Sequence, residues 1–334
     1  MAKGIVWVGT PFILNFEDPM EIFQPLVDEG LEVRLDECRG YMPEEDVIEA
    51  ISGAVAVIAG AEPYTARVIE SAPNVQIISR AGVGINNVDI PAATERGIVV
   101  TNAAGSNSES VAEHFFGLLL CACRRIAWLD KEIRGGLWRE IQPALPALNG
   151  KTLGILGFGN VGKQVAKRAV GFDMRIIAND IVRDEETAAK YGVEFVSLDE
   201  LARESDYLTC HVPLTPETKH IIGPELLKSM KPDAFVFNLS RGPVADLDAL
   251  AEALKEGVIR GAGVDVFPEE PPDYDHPIFS LENVVLTPHL GGRGEDAIRK
   301  NLEQTTQCVL DFFRGQKPST VINPEVYEVL DRQR

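Results

Sequence analysis

Positive charge is scarce in this sequence. Its 334 residues carry 32 Lys and Arg against 51 Asp and Glu, a formal net charge of −19. A nucleic-acid surface needs clustered cations, and docking on anionic lipid needs them equally, so neither partner is expected. Any anionic ligand must be met by local cations that overcome the global field. Cysteine is sparse too. Cys38, Cys121, Cys123, Cys210 and Cys308 show no C-x-x-C spacing and no His partner at metal-ligand spacing. Free thiols in a reducing compartment, and no metal, are the expectation. Long apolar runs are missing. The longest, FFGLLLCAC at 115–123, is too short to span a bilayer, and MAKGIVWVGTPF reads as a first strand rather than a leader peptide. A cytoplasmic location follows. No repeat and no low-complexity segment interrupts the chain.

What is present is alternation. Hydrophobic residues make up 45% of the chain and charged residues 25%, the balance of a globular protein long enough for two cores. Short apolar runs alternate with helical patterns, the signature of parallel sheets with crossover helices. GIVWVG (4–9), LEVRL (31–35), AVAVIAG (54–60), VQIISR (75–80) and GIVVTN (97–102) read as the strands of a small open α/β domain. TLGILGF (152–158), MRIIAND (174–180), VEFVS (193–197), YLTCHVP (207–213), AFVFNLS (234–240), GAGVDVF (261–267) and VVLTPH (284–289) read as a second, larger doubly wound sheet. One long apolar helix from about Ser108 to about Ile133 joins the two series. A Ser of SNSES caps it, Glu109 favours its first turn, and GGLW ends it. After His289, GGRGEDAIRKNLEQTTQCVLDFFRG reads as one terminal helix with no strand of its own to cover, so it is expected to pack back on the first domain.

The stretch TLGILGFGNVGKQVAKRAVGFDMRIIAND (152–180) carries the first chemistry. A G-x-G-x-x-G pattern alone is also ordinary turn punctuation. Here Gly157, Gly159 and Gly162 follow an apolar strand and open a helix, and a second strand ends in Asp180, eighteen residues beyond the last glycine. The first glycine permits the tight turn, the second lets backbone approach a pyrophosphate, and the third lets helix and strand pack closely. The helix N-terminus offers N–H groups and partial positive charge to the phosphates. Asp180 can accept from both ribose hydroxyls and would repel a 2′-phosphate, which favours NAD over NADP.

Three later strand ends supply reacting groups. NLSRGPVAD (238–246) places Arg241 past one strand, GAGVDVFPEEPP (261–272) places Glu270 past another, and VVLTPHLGG (284–292) places His289 at the end of a third. Ligands of open α/β sheets sit outside the carboxyl ends of the strands, so a guanidinium, a carboxylate and an imidazole converge on one crevice. Each alone has an ordinary structural reading. Together they form the set that dehydrogenates an alcohol beside a carboxylate. The imidazole takes the hydroxyl proton at neutral pH, a carboxylate beside it favours its protonated form and fixes its tautomer, and the Arg fork binds a carboxylate or a polarised carbonyl.

In this order GFGNVG with Asp180, HVPLTPET (211–218), NLSRGPVAD, GAGVDVFPEEPP and TPHLGG resemble the D-2-hydroxyacid dehydrogenase family. SRAGVGINNVDIPAATERGIVVTNAAGSNSESVAEH (79–114) extends the resemblance over nearly the whole chain. The resemblance implies a flavodoxin-like substrate domain over 1–102 and 290–334, with a Rossmann NAD-binding domain at 103–289 inserted into it. It implies Arg241, Glu270 and His289 as the catalytic trio. It implies cofactor contacts from Gly157, Gly159, Asn160, Val161, Gly162, Asp180, His211, Val212, Pro213, Thr218 and Asp265, the last holding the nicotinamide carboxamide. Backbone N–H groups of Ala81, Gly82, Val83 and Gly84 would receive the substrate carboxylate. It further implies a homodimer joined through the NAD-binding domains with the 108–133 helix contributing, and an active site in an interdomain cleft that closes by hinging near 102–105 and 290–292.

The activity so implied is hydride transfer between NAD and a small anionic D-2-hydroxy or 2-oxo acid. Within the family the resemblance is strongest toward the phosphoglycerate dehydrogenases, in the short form with no regulatory domain after about residue 325. Glyoxylate/hydroxypyruvate reductase, or another hydroxyacid specificity, is the alternative. An alternative of another class is an NADH-sensing binding protein of the corepressor type. Members that hold a phosphorylated substrate carry an arginine where this chain reads Ala59-Gly60-Ala61-Glu62, and some carry another in the stretch that here reads SNSES. Arg80 and Arg293, beside glycine-rich loops, are the candidate substitutes in the substrate set, with Val83, Gly84, Arg241 and His289. His114 and His211 read as structural hydrogen-bonding residues.

Overall fold

In the computed structural model, residues 3–36, 42–138 and 144–333 are described, so Cys38 lies outside them. The chain divides into two compact units, Met1–Asn107 with Gly294–Arg334, and Ser108–Arg293. All the strands expected from the apolar runs are present. Several stop two or three residues early, because the last residues of each run turn into the loop that follows.

In the first unit β1 (Ile5–Gly9), β2 (Glu32–Leu35), β3 (Ala54–Ala59), β4 (Ile77–Arg80) and β5 (Val99–Asn102) form one parallel sheet in the order β2-β1-β3-β4-β5. This is the flavodoxin-like order. Ala56, Val57, Ile58 and Ala59 are each 0% exposed, which explains why β3 reads as a continuous apolar run: both faces of a parallel sheet are covered. The helix Glu295–Phe313 returns to this sheet as expected. Its Leu302, Val309 and Leu310 share a core with Val6, Val8, Ile58 and Ile77, and Ser79 Oγ donates to its Thr305 carbonyl at 3.1 Å.

The expectation of one terminal helix is corrected by a second, Val326–Gln333. The segment leading to it is fastened by Asn323, whose Oδ1 accepts the Val100 amide at 2.8 Å and whose Nδ2 donates to the Ile98 carbonyl at 2.9 Å. The same segment pairs with the edge of β5 through its backbone as well, the Ile322 amide donating to the Val100 carbonyl at 2.8 Å beside a Thr101–Val321 antiparallel bridge. Such a partner leaves no periodic trace in sequence.

In the second unit β6 (Thr152–Leu156), β7 (Arg175–Asn179), β8 (Val193–Phe195), β9 (Tyr207–Cys210), β10 (Phe235–Asn238), β11 (Gly261–Val264) and β12 (Val284–Leu286) run parallel in the order β12-β11-β10-β9-β6-β7-β8. This is a doubly wound Rossmann sheet with one added strand, and its order reverses between β6 and β9. The helix Ser108–Arg124 covers one face. Its Phe115 is fully buried, 5.4 Å from the Phe237 ring at 84°, a placement worth about 2–3 kcal/mol of apolar burial.

The single helix expected over 108–133 is two helices. It breaks at Arg125, left-handed at φ 52°, ψ 38°, before Ile126–Arg134. The first piece buries eight side chains, whereas none of the second is buried. Where the core ends, the chain is released to turn, and Arg125 lies 4.0 Å over the Trp128 ring. Cys121, Cys123, Cys210 and Cys308 are free thiols, and burial pushes the Cys210 thiol up to about 11.

Candidate active site

The glycine-rich turn lies at the reversal point of the second sheet. Gly157 follows β6 at φ +95°, and a Cβ there would come 2.8 Å from the His211 carbonyl carbon and 2.9 Å from the Val212 nitrogen. Only glycine meets both demands. At Gly162 a Cβ would overlap the Gly157 carbonyl oxygen, so the third glycine lets the helix Asn160–Ala169 seat on the turn. Gly159 caps that helix without a side-chain hydrogen bond, leaving the first-turn amides of Asn160, Val161 and Gly162 facing outward. Those amides suit a pyrophosphate. Across the turn, Asp180 Oδ2 accepts the Phe158 amide at 2.6 Å and Oδ1 the Val182 amide at 2.8 Å. The carboxylate is therefore aimed, and each oxygen keeps a lone pair for a ribose hydroxyl. These residues fit a dinucleotide.

The HVPLTPET loop closes the same turn from β9. Thr218 Oγ1 donates to the Pro213 carbonyl at 2.6 Å and accepts the Thr215 amide at 2.8 Å, which sets the shape of the loop. Val212 packs against the core. His211 is paired with Thr209 Oγ1 at 2.9 Å through Nε2, and burial pushes its pKa from 6.5 down to about 3. Its imidazole is therefore neutral near pH 7.

Arg241, Glu270 and His289 stand three residues past β10, six past β11 and three past β12. The structure brings Glu270 and His289 into direct contact, Oε2 to Nδ1 at 2.7 Å. The other Glu270 oxygen accepts the Phe267 amide at 3.1 Å. Burial raises the Glu270 carboxyl, but the bonds from His289 and Phe267 outweigh it, and the net shift is downward. Glu270 therefore stays ionised, and its bond at Nδ1 leaves Nε2 as the ring nitrogen available to a ligand. Arg241 is half-buried. Desolvation lowers its pKa, the charge of Glu270 opposes that, and Nη1 is held by the Ser240 carbonyl at 2.7 Å.

The residue that shapes this corner is Asp265, at the end of β11 and 1% exposed. Its Oδ1 accepts from Thr287 Oγ1 at 2.6 Å and the Leu290 amide at 3.0 Å, and its Oδ2 accepts the Gly291 amide at 2.9 Å. His114 Nε2 lies 3.2 Å from Oδ1 and 3.0 Å from Thr287 Oγ1. Burial raises the Asp265 carboxyl, and these donors together bring it below its usual value. They clamp the turn in which His289 sits at φ 55°, a left-handed conformation that costs a non-glycine residue about 1 kcal/mol or more. Sequence reasoning assigned Asp265 to the cofactor and missed this clamp. The available signal was Thr287, two residues before His289 on the same strand end.

The substrate-loop candidates belong to the first unit. Ala81 donates to the Ala59 carbonyl at 2.7 Å, Gly82 to the Arg80 carbonyl at 2.8 Å, and the Val83 carbonyl accepts Asn102 Nδ2 at 2.8 Å. Among the described residues the Val83 and Gly84 amides donate to no protein acceptor, as an anion-binding loop requires. Arg80 Nη1 donates to the Ala81 carbonyl at 2.7 Å, beside this loop. Arg293 ends the second unit as an exposed residue, its amide donating to the Leu290 carbonyl at 2.9 Å.

Residues 116–291 match the NAD binding domain of the D-isomer specific 2-hydroxyacid dehydrogenases. The chain is 40% identical over 308 residues to a glyoxylate reductase of Korarchaeum cryptofilum, covering 91% of this chain and 93% of that one. It is 43% identical over 284 residues to a D-3-phosphoglycerate dehydrogenase of Methanocaldococcus jannaschii, covering 84% of this chain and 54% of the relative. The crystal structure of the TT0316 protein from Thermus thermophilus superposes with a TM-score of 0.85 at 34% identity, over 95% of this chain and 99% of that one.

Proposed function

Because the chain belongs to the D-isomer specific 2-hydroxyacid dehydrogenase family and is an NAD-dependent oxidoreductase of that family, we propose that it reduces short 2-oxo acids of the glyoxylate and hydroxypyruvate type. The observation that carries this reading is the end-to-end match to a glyoxylate reductase, 91% of this chain on 93% of that one. The phosphoglycerate dehydrogenase relative is matched over only 54% of its length. The expected short form would match such a relative in part, so what favours the glyoxylate alternative over the phosphoglycerate reading is the match to glyoxylate reductases at 40% and 39% identity over 93% of their length.

When bound, NADH supplies the hydride. The chain supplies the rest. Asn160, Val161 and Gly162 offer amides to the pyrophosphate, Asp180 receives the ribose hydroxyls, and the remaining acceptor capacity of Asp265 Oδ2 is available to the carboxamide. Val83 and Gly84 hold the substrate carboxylate with backbone N–H groups. Arg241 orients the oxo acid and polarises its carbonyl, with its fork matched to planar oxygens. His289, protonated on Nε2 and held through Nδ1 by Glu270 at 2.7 Å, gives its proton to the carbonyl oxygen as the alcohol forms, and takes it back in oxidation.

A homodimer through the second unit fits the same reading. Ile126, Ile133 and Trp138 are 52%, 45% and 69% exposed on and just after a helix with no buried residue. Sedimentation at twice the 36.5 kDa chain mass checks it. The test of function is NADH oxidation against glyoxylate, hydroxypyruvate, phosphohydroxypyruvate, sulfopyruvate, pyruvate and oxaloacetate. Glyoxylate and hydroxypyruvate are expected to lead in kcat/KM by about tenfold, a preference of about 1.4 kcal/mol. A lead for phosphohydroxypyruvate would restore the phosphoglycerate reading, and silence with NADH bound would favour the sensor.

A further inference from the structure

The order of the first sheet reverses between β1 and β3, so its ligand crevice opens outside the carboxyl ends of those two strands. A buried acid stands there. Glu62, three residues past β3, is 3% exposed and is the one buried carboxylate of this unit among the described residues. It is wedged between the two strand ends. A Cβ on Gly60 would come 2.6 Å from Glu62 Oε1 and equally close to the carbonyl oxygen of Gly9, the last residue of β1.

The acid is built in. Its Oε2 accepts the Gly60 amide at 2.8 Å, and the Tyr64 hydroxyl lies 3.4 Å away. Asn87 Nδ2 spans the same loop, donating to the Gly60 carbonyl at 3.1 Å and the Glu62 carbonyl at 2.8 Å. The nearby cation is Arg80 of β4, whose field acts on Glu62 and whose guanidinium is bound to Ala81 at the head of the substrate loop. A buried charge is costly and is retained only where its surroundings support it. Burial raises the Glu62 carboxyl above its usual value, and the Gly60 amide and Arg80 oppose that rise.

We infer that Glu62 is a charge filter on the substrate: a fixed carboxylate at the crevice of the first sheet that admits 2-oxo acids with an uncharged C3 substituent and rejects those carrying a second anionic group, whether phosphate, sulfonate or carboxylate. This rests on the reading that the 81–84 loop receives the substrate carboxylate, since that places C3 and its substituent against the β1 and β3 ends. Arg80 is the cation beside this corner, and Glu62 offsets it. The corner therefore presents no net positive charge to a second anion.

The test compares two three-carbon substrates that differ in the charge at C3. Hydroxypyruvate and sulfopyruvate are assayed with NADH at about pH 8, where the sulfonate is an anion. The unaltered protein is expected to favour hydroxypyruvate in kcat/KM by tenfold or more. Glu62→Gln keeps the shape and an oxygen for the Gly60 amide. It should raise the sulfopyruvate-to-hydroxypyruvate ratio about ten- to fiftyfold, the scale of like charges several Å apart at an effective dielectric of about 20. Ala61→Lys, at an exposed neighbouring position, adds a cation without touching the buried acid, and should move the ratio the same way by about fivefold. An active protein whose ratio is unchanged in both variants overturns the filter alone. Failure of the unaltered protein to reduce any 2-oxo acid, with NADH bound, overturns the activity reading and the filter with it.

Discussion

The backbone N–H of His289 donates to the carbonyl of Asp265 at 2.7 Å, and the carboxylate of the same Asp265 receives the amides of the two residues that follow His289. A side chain with 1% exposure thus dictates the backbone of the exposed imidazole. In Asp265→Asn one of the two oxygens becomes an NH₂ group facing a backbone amide, and the turn loses a charge-assisted acceptor. We expect kcat to fall about 10²-fold, the cost of displacing a reacting group by about 1 Å. Steady-state kinetics beside circular dichroism checks this. An unaltered kcat would mean that the turn holds its shape unaided.

The Glu270–His289 pair makes a paired prediction. His289→Ala removes the proposed proton donor and should lower kcat about 10²–10⁴-fold while NADH binding, read by fluorescence, persists. Glu270→Gln keeps the shape of the contact but removes the charge behind the imidazole, so kcat should fall about tenfold while NADH binding is retained. An unchanged kcat would show that the 2.7 Å contact positions His289 without electrostatic support.

Asp180 holds the Phe158 and Val182 amides with one oxygen each, and the proposed function gives it the ribose hydroxyls. Asp180→Ala removes the repulsion toward a 2′-phosphate and two hydroxyl acceptors together. The NADPH/NADH ratio of kcat/KM should rise about tenfold or more, equivalent to about 1.4 kcal/mol, chiefly through loss with NADH. The ratio measured on one oxo acid decides it, and a constant ratio would remove Asp180 from ribose recognition.

His211 gives a stability prediction with a definite sign. Its folded pKa is depressed by burial from 6.5 to about 3, so between those values the unfolded chain binds a proton that the folded chain refuses. The contribution is intact above pH 6.5 and is lost as pH falls toward 3, at about 1.4 kcal/mol per unit, or about 3 kcal/mol at about pH 4.5. Urea midpoints at about pH 7.5 and about pH 4.5 for the unaltered protein and His211→Gln measure it. The variant should lose less stability on acidification, and equal losses would show that His211 accepts its proton in place.

What the amino-acid order determined by itself is local. Continuous apolar runs such as Ala54–Ala59 must become doubly covered strands, because nothing else buries both of their faces. Gly157 and Gly162 mark a turn that only residues without a Cβ can make. Arg241, Glu270 and His289 were legible as candidates because each closely follows such a strand, and parallel strands present their carboxyl ends on one side. Tertiary structure decided everything that depends on a partner distant in sequence. Asp265 meets Leu290 and Gly291 only after β11 and β12 pair. Asn323 meets Val100 only when the chain returns to the edge of β5. The helix from Ser108 ends at Arg124 because the core it covers ends there, and no residue type in that stretch announces the break. Glu62 reads in sequence as an ordinary surface acid. It became a buried charge because the ends of β1 and β3 close around it, a consequence of sheet order that no local pattern encodes.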